Sequence, residues 1–281
     1  MKLAPIGCVA FLLAAGCGSP AAPTPTKVPL TLPPVAAAAP TLSYAPLAKV
    51  LKDAVDGDGV LKASEYQWVK DDLDKQLALL AANGPTATPG QFAAEGGASA
   101  ADKALAYWYN ARAAWAIKLA MLAREGETIT RPLLEQRPFD IDGRTMTLAD
   151  IDALLAADDD WRTLPAAPGV LWQRAALPRQ PLQGRDIRSQ IASRFEQFVH
   201  DDKRLVADDR SREILVPLAL WAVKDRAINR YQTAYGASGA TLTTAMLPVV
   251  SGPALHRLQD LVGYRPVEAP WSGKLAILER K

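Results

Sequence analysis

Two clusters in this chain carry the side chains that hydrolysis uses: His200 beside Asp201 and Asp202, and Ser251 followed by His256 and Asp260. A histidine that removes a hydroxyl proton while an acid orients its ring performs acyl transfer when the groups stand within about 3 Å of one another. Spacing along the chain does not bring them that close, and no Gly-x-Ser-x-Gly turn is present to hold a nucleophilic serine. Asp56, Asp58 and Glu65 suggest a cation site instead, since they fall at the third, fifth and twelfth places of an EF-hand loop with Gly59 at the sixth. Ala54 stands where the first ligand belongs and Lys62 at the ninth place. A turn that needs glycine is the favoured reading, and no metal or other cofactor is expected.

The remaining acids and the sulfurs narrow the chemistry further. Asp150 and Asp152, two apart on a predicted helix, point in different directions and form no acid–base pair; Asp150 reads as part of a cap. Asp158-Asp159-Asp160 reads as a solvated helix end. Cys8 and Cys17 both fall in the first seventeen residues, so the rest of the chain has no disulfide, thiolate nucleophile or cysteine metal ligand. With two histidines in all, a zinc site is also hard to build.

The element that must position these groups is the stretch Ala104 to Ala123, ALAYWYNARAAWAIKLAMLA, apolar on nearly every side. Such a helix belongs at the centre of a domain, and Asn110, Arg112 and Lys118 argue against a membrane span. Trp108 and Trp115, seven apart, share a face and read as core. Asn110 reads as a buried amide tied to a backbone carbonyl, with a ligand-orienting role as the alternative. Further helices are predicted around Leu47–Leu51, from Glu65 to Ala82 through Trp68, Leu73, Leu77 and Leu80, and from Thr147 to about Ala157. Others run through Ile187, Ile191, Phe195 and Phe198, and from Leu218 to Tyr235. Ser99 with Asp102, and Thr147 with Asp150, have the spacing of helix caps. Phe139–Met146 reads as a hairpin turning at Asp142-Gly143, and 204–207 with 213–216 as a second. Asp158 to Gly184 shows no clean period, and the end containing Trp271 reads as irregular. The predicted fold is α+β, predominantly helical: one domain over 44–281 with a buried central helix and short β-hairpins. Lys+Arg 32 against Asp+Glu 30, with no basic run, gives no footprint for a nucleic-acid partner.

The beginning of the chain reads differently. Lys2 and the apolar run Leu3–Ala15 have the build of a secretory signal, too short for the roughly 20 residues of a spanning helix. Leu13-Ala14-Ala15-Gly16-Cys17 resembles a bacterial lipobox, which implies a signal peptide over 1–16 and a diacylated, palmitate-bearing Cys17. More than one acyl chain makes anchoring stable, each buried CH₂ being worth about 0.8 kcal/mol. Residues 18–43, rich in Pro, Ala and Thr, then form a tether extending about 3.1 Å per residue. By resemblance to Gram-negative lipoproteins, Gly18 after the cysteine leaves sorting to the outer membrane, facing the periplasm, open. The expected location is the cell envelope.

Four stretches together resemble the bacterial family known as domain of unknown function 547. They are Val55-Asp56-Gly57-Asp58-Gly59 with Leu73-Asp74 and Leu77; Ala106-Tyr107-Trp108-Tyr109-Asn110-Ala111; Gly143 to Asp152, GRTMTLADID; and Val267 to Ser272, VEAPWS. The likeness covers most of residues 44 to 275. Members carry a second Tyr-Asn pair where Arg112 and Ala113 stand here. They also carry an Arg-x-His-Phe-Ala-Leu-x-Cys block followed by Ser-Cys-Pro. In this chain that region is Gly169 to Leu182, with Gly169 at the place of the histidine and Arg174 and Arg179 at the places of the two cysteines. Arginine stays charged at neutral pH and serves as neither nucleophile nor base.

The resemblance therefore implies a degenerate, non-catalytic relative, a pseudoenzyme that binds an unknown protein or small molecule. A hydrolase or transferase using other residues is the alternative. Candidate ligand-facing residues are Trp108, Asn110, Arg112, Trp172, Arg174 and Arg179, and a surviving ligand site is expected around Trp172 to Pro181.

Overall fold

The computed structural model describes residues 41–124, 126 and 128–278; the expected signal peptide, Cys17 and residues 18–40 of the expected tether lie outside them. The described chain opens with helix α1 (Ala45–Ala54), a tight turn, strand β1 (Leu61–Lys62) and helix α2 (Tyr66–Ala82). Leu47, Val50, Leu51 and Ala54 place α1's buried face at helical spacing. On α2 that face is Val69, Leu73, Leu77 and Leu80. Trp68, expected within the apolar pattern, is 72% exposed, because a residue adjacent to Val69 lies about 100° around the helix from it.

Helix α3 (Ala100–Ala123) is the centre. Every residue from Leu105 to Ile117 is buried, and Lys118 escapes to Asp74 on α2 at 2.5 Å. Ser99 Oγ caps its start by accepting from Asp102 N at 3.0 Å. Trp115 stacks on Phe139 with ring centroids 4.1 Å apart. Around α3 lie α4 (Arg131–Glu135), the hairpin β2 (Phe139–Ile141) and β3 (Arg144–Met146), α5 (Leu148–Ala156) and α6 (Ile187–His200). The hairpin turns through Asp142 and Gly143, both at positive φ, as Asp-Gly turns require. Thr147 and Asp150 form a complete capping box on α5.

Strands β4 (Val206–Asp208) and β5 (Glu213–Val216) make the second expected hairpin, followed by α7 (Leu218–Trp221), α8 (Lys224–Tyr235), α9 (Leu242–Met246) and α10 (Gly252–Asp260). The helix predicted over 218–235 breaks at Ala222–Val223. The break keeps Val223 in the core and swings Arg226 and Arg230 of α8 onto the carbonyls of Ala156, Asp158 and Asp159. The Asp158–Asp160 stretch is accordingly no solvated helix end: Asp158 Oδ1 also accepts from Arg188 and Thr163, and Asp160 holds Arg162.

The C-terminal region, expected to be irregular, supplies β6 (Arg265–Glu268) parallel to β5 and β7 (Ile277–Leu278) parallel to β1. Both pairings are distant in sequence, and Pro266 inside β6 sits on an edge strand, the one place in a sheet where proline is tolerated. The fold is α+β and predominantly helical, with one contiguous apolar core spanning residues from Leu47 to Leu275. Among the described residues no helix is long and apolar enough to cross a membrane.

Candidate functional site

Residues 158–183 run as irregular chain across α3, apart from isolated bridges. Buried carbonyls need donors, and here side chains provide them. Asn110 donates to Leu182 O at 2.9 Å and accepts from Leu182 N at 2.8 Å. Tyr109 donates to Thr163 O and Arg112 to Pro168 O. Arg194 on α6 donates through Nε to Ala166 O at 3.0 Å and through Nη2 to Ala176 O. Arg204, just beyond α6, donates to Arg174 O.

Beneath this segment lies a buried ion network. Arg112 grips Asp152 with Nε–Oδ1 at 2.6 Å and Nη2–Oδ2 at 3.2 Å. Arg174 Nη2 reaches the same Oδ2 at 2.7 Å and Glu135 Oε1 at 3.2 Å, while Arg131 holds the other Glu135 oxygen at 2.8 Å. Burial pushes the Asp152 carboxyl up, but the two guanidiniums outweigh it and hold the group below the usual carboxylate range. A Cβ at Gly169 would stand 2.8 Å from Arg174 Cβ and 3.1 Å from Arg112 Nη1, so only glycine admits both arginines. A cavity of about 10 Å³ adjoins them, room for about one water, and Arg174 Nη1 has no partner among the described residues.

Four of the ligand-facing candidates lie inside the fold, Asn110 and Trp108 in the buried roles their sequence setting favours. Arg112 and Arg174 are internal because carboxylates of α4 and α5 neutralise them. Asn110 is internal because its amide completes the Leu182 backbone. Trp108 packs edge-on against Tyr107 at 4.9 Å with Arg144 over its ring. Trp172 and Arg179 reach a concave surface instead.

That surface is a groove of about 2480 Å³, walled by the turn at 56–59, the stretch 176–183 with Trp172, the inner face of α6 with residues 201–204, and α10. His200, Asp201, Asp202, His256 and Asp260 all line it. The fold thus brings the two hydrolytic clusters to one place without assembling a relay. Among the described residues neither histidine is hydrogen-bonded to an acid or a hydroxyl; Ser251 Oγ donates to Glu196 at 2.8 Å, and Asp201 is committed to Arg204 at 2.7 Å.

The weak metal candidates separate. Asp56 Oδ1 accepts from Asp58 N at 2.9 Å and Val60 N at 2.8 Å, closing the turn. Gly59, at φ +72, packs so closely that a Cβ would meet Ala176 Cβ at 2.5 Å and Leu177 O at 2.6 Å. Glu65 lies at the start of α2 beside Ser64. Among the described residues no three His, Cys, Asp or Glu side chains are grouped to hold a metal ion.

Three groove arginines are not foreseen by the motifs: Arg194, Arg204 and Arg257. Burial pushes all three guanidinium groups down, Arg194 to about 10, where the nearby Arg204 charge adds to the effect. For Arg194 the sequence holds a signal, since an arginine stands on the apolar face defined by Ile187, Ile191, Phe195 and Phe198. Arg204 and Arg257 carry none. The fold and site define a helix-rich α+β domain with a groove of mixed apolar and polar lining that includes Arg194, Arg204 and Arg257. Comparison with models of protein families, with curated proteins and with solved structures finds no match.

Proposed function

We propose that this chain is a lipid-anchored cell-envelope protein whose helix-rich domain binds a ligand or partner in the groove without catalysing a reaction. The observation that carries the reading is chemical. Part of the stretch resembling the reactive block of the domain of unknown function 547, Trp172 and residues 176–182, lines a groove with convergent polar groups, yet where that block has cysteines this chain has Arg179 at the groove and Arg174 buried behind it. A concave site with convergent polar groups is the ordinary setting of ligand binding. The lipobox resemblance at Cys17 supports the envelope location, and nothing in the charge balance calls for a nucleic-acid partner.

An envelope hydrolase or transferase is the second reading, favoured by the meeting of His200 and His256 with three aspartates in the same groove. Screening the purified full chain against ester, amide and peptide substrates separates the two. No turnover above buffer is expected. Turnover that survives further purification and disappears in His200→Ala or His256→Ala overturns the binding reading.

A further inference from the structure

Arg194 and Arg204 form the floor of the groove, and both are buried. Arg194 spends Nε and Nη2 on two carbonyls, has no hydrogen bond at Nη1, and pairs with no carboxylate among the described residues. Arg204 spends Nε on Asp201 and Nη1 on a carbonyl, leaving Nη2 buried without a partner. Holding the 166–176 backbone accounts for the occupied donors but not for the charge. Tyr109 and Asn110 serve other carbonyls of the same segment as neutral groups. A buried cation without a counterion is costly, and Arg194 is one among the described residues; the nearby Arg204 has Asp201 at Nε alone and keeps Nη2 unspent, and clustered guanidinium groups with unspent donors are an arrangement by which proteins receive an oxyanion.

We infer that the Arg194–Arg204 floor is a carboxylate-binding subsite and that the groove receives an extended peptide through it, a step that rests on the groove-binding reading above. Three features choose the ligand class. The groove far exceeds the roughly 300–1,000 Å³ of a small-molecule pocket. Exposed aspartates at its rim, Asp58, Asp202 and Asp260, repel a dianion such as phosphate more strongly than a monoanionic carboxylate and can accept peptide N–H groups. The groove's Trp172 has Lys203 and Arg204 over its ring at 5.3 and 5.4 Å, which occupies the aromatic face a sugar would stack on. The carboxylate can come from a chain terminus or from an acidic side chain; the chemistry at the floor is the same.

Calorimetric titration of the full chain with four probes tests this: N-acetyl-alanyl-alanine, its C-terminal amide, N-acetyl-glutamyl-alanine amide and inorganic phosphate. The free acid is expected to bind more tightly than its amide by roughly tenfold or more, the worth of one charge-assisted hydrogen bond. Binding of the glutamyl amide as well assigns the site to side-chain carboxylates, and its failure to bind assigns the site to termini; both support the subsite. Arg204→Lys, which keeps the charge but loses the fork, is expected to erase the acid–amide difference, and that difference in the unaltered chain decides the matter even if the variant does not fold. Equal binding of acid and amide, tighter binding of phosphate, or no heat from any probe at millimolar concentration overturns the inference. Chromatography of the titrated peptides keeps the two proposals apart: cleaved probe refutes the non-catalytic reading while leaving the subsite standing.

Discussion

Asp152 accepts from two guanidinium groups, one on the central helix and one in the irregular segment 158–183. Removing its charge leaves Arg112 and Arg174 sharing a buried site with Glu135 as the remaining acid. Asp152→Asn is therefore expected to cost about 3–5 kcal/mol, the penalty of breaking a buried pair from one side. The pH dependence has a definite sign. The carboxyl titrates lower in the folded chain than the value near 3.9 of an unfolded one. Its stabilisation is complete above about pH 4 and fades as the pH falls through the folded value. Urea denaturation between about pH 7 and pH 3 should show that loss in the parent chain and a flatter profile in the variant; parallel profiles would remove Asp152 from the account. At this scale the sequence was partly legible. Asn110 as a buried amide and Asp150 as a cap follow from residue type and local spacing, whereas the partners of Arg112, Arg174 and Arg194 lie tens of residues away.

Helix and turn chemistry is where local rules reach furthest. The capping box of α5 joins Thr147 Oγ1 to Asp150 N at 3.2 Å and Asp150 Oδ2 to Thr147 N at 2.8 Å. These bonds also fix the exit of the β2–β3 hairpin, whose turn docks on α2 through Asp142 N to Leu80 O at 2.9 Å. Thr147→Ala is expected to lower stability by about 1 kcal/mol, read as a lower denaturation midpoint with unchanged slope. An unchanged midpoint would mean that packing of Leu148 and Ile151 holds the helix start without the cap. Where the elements depart from local expectation, contacts distant in sequence decide. The long helix predicted after Leu218 breaks because its first turn packs inward and its second half ties down residues 156–159. The last strand, β7, pairs with β1 across most of the chain, and β6 pairs with β5 from 52 residues away, relations that no window of sequence contains.

The proposed lipid anchor at Cys17 is a property of the whole molecule. Cys17→Ser should shift the protein from the detergent phase to the aqueous phase and abolish acyl labelling, with the domain's melting unaffected; persistent labelling rejects the lipobox. Tertiary structure brings His200 of α6 and His256 of α10 to one groove, where among the described residues neither is hydrogen-bonded to an acid. By itself the sequence determined the helix-rich α+β class, the buried α3, the caps and the Asp-Gly hairpin, because periodicity, capping and turn preferences act over a few residues. It also determined the absence of sulfur chemistry beyond Cys17. Only the tertiary structure decided which polar residues face inward and which line the groove. Burial and countercharge are properties of side chains that meet across the fold, and residue type alone does not reveal whether an arginine meets a carboxylate or is left to receive one.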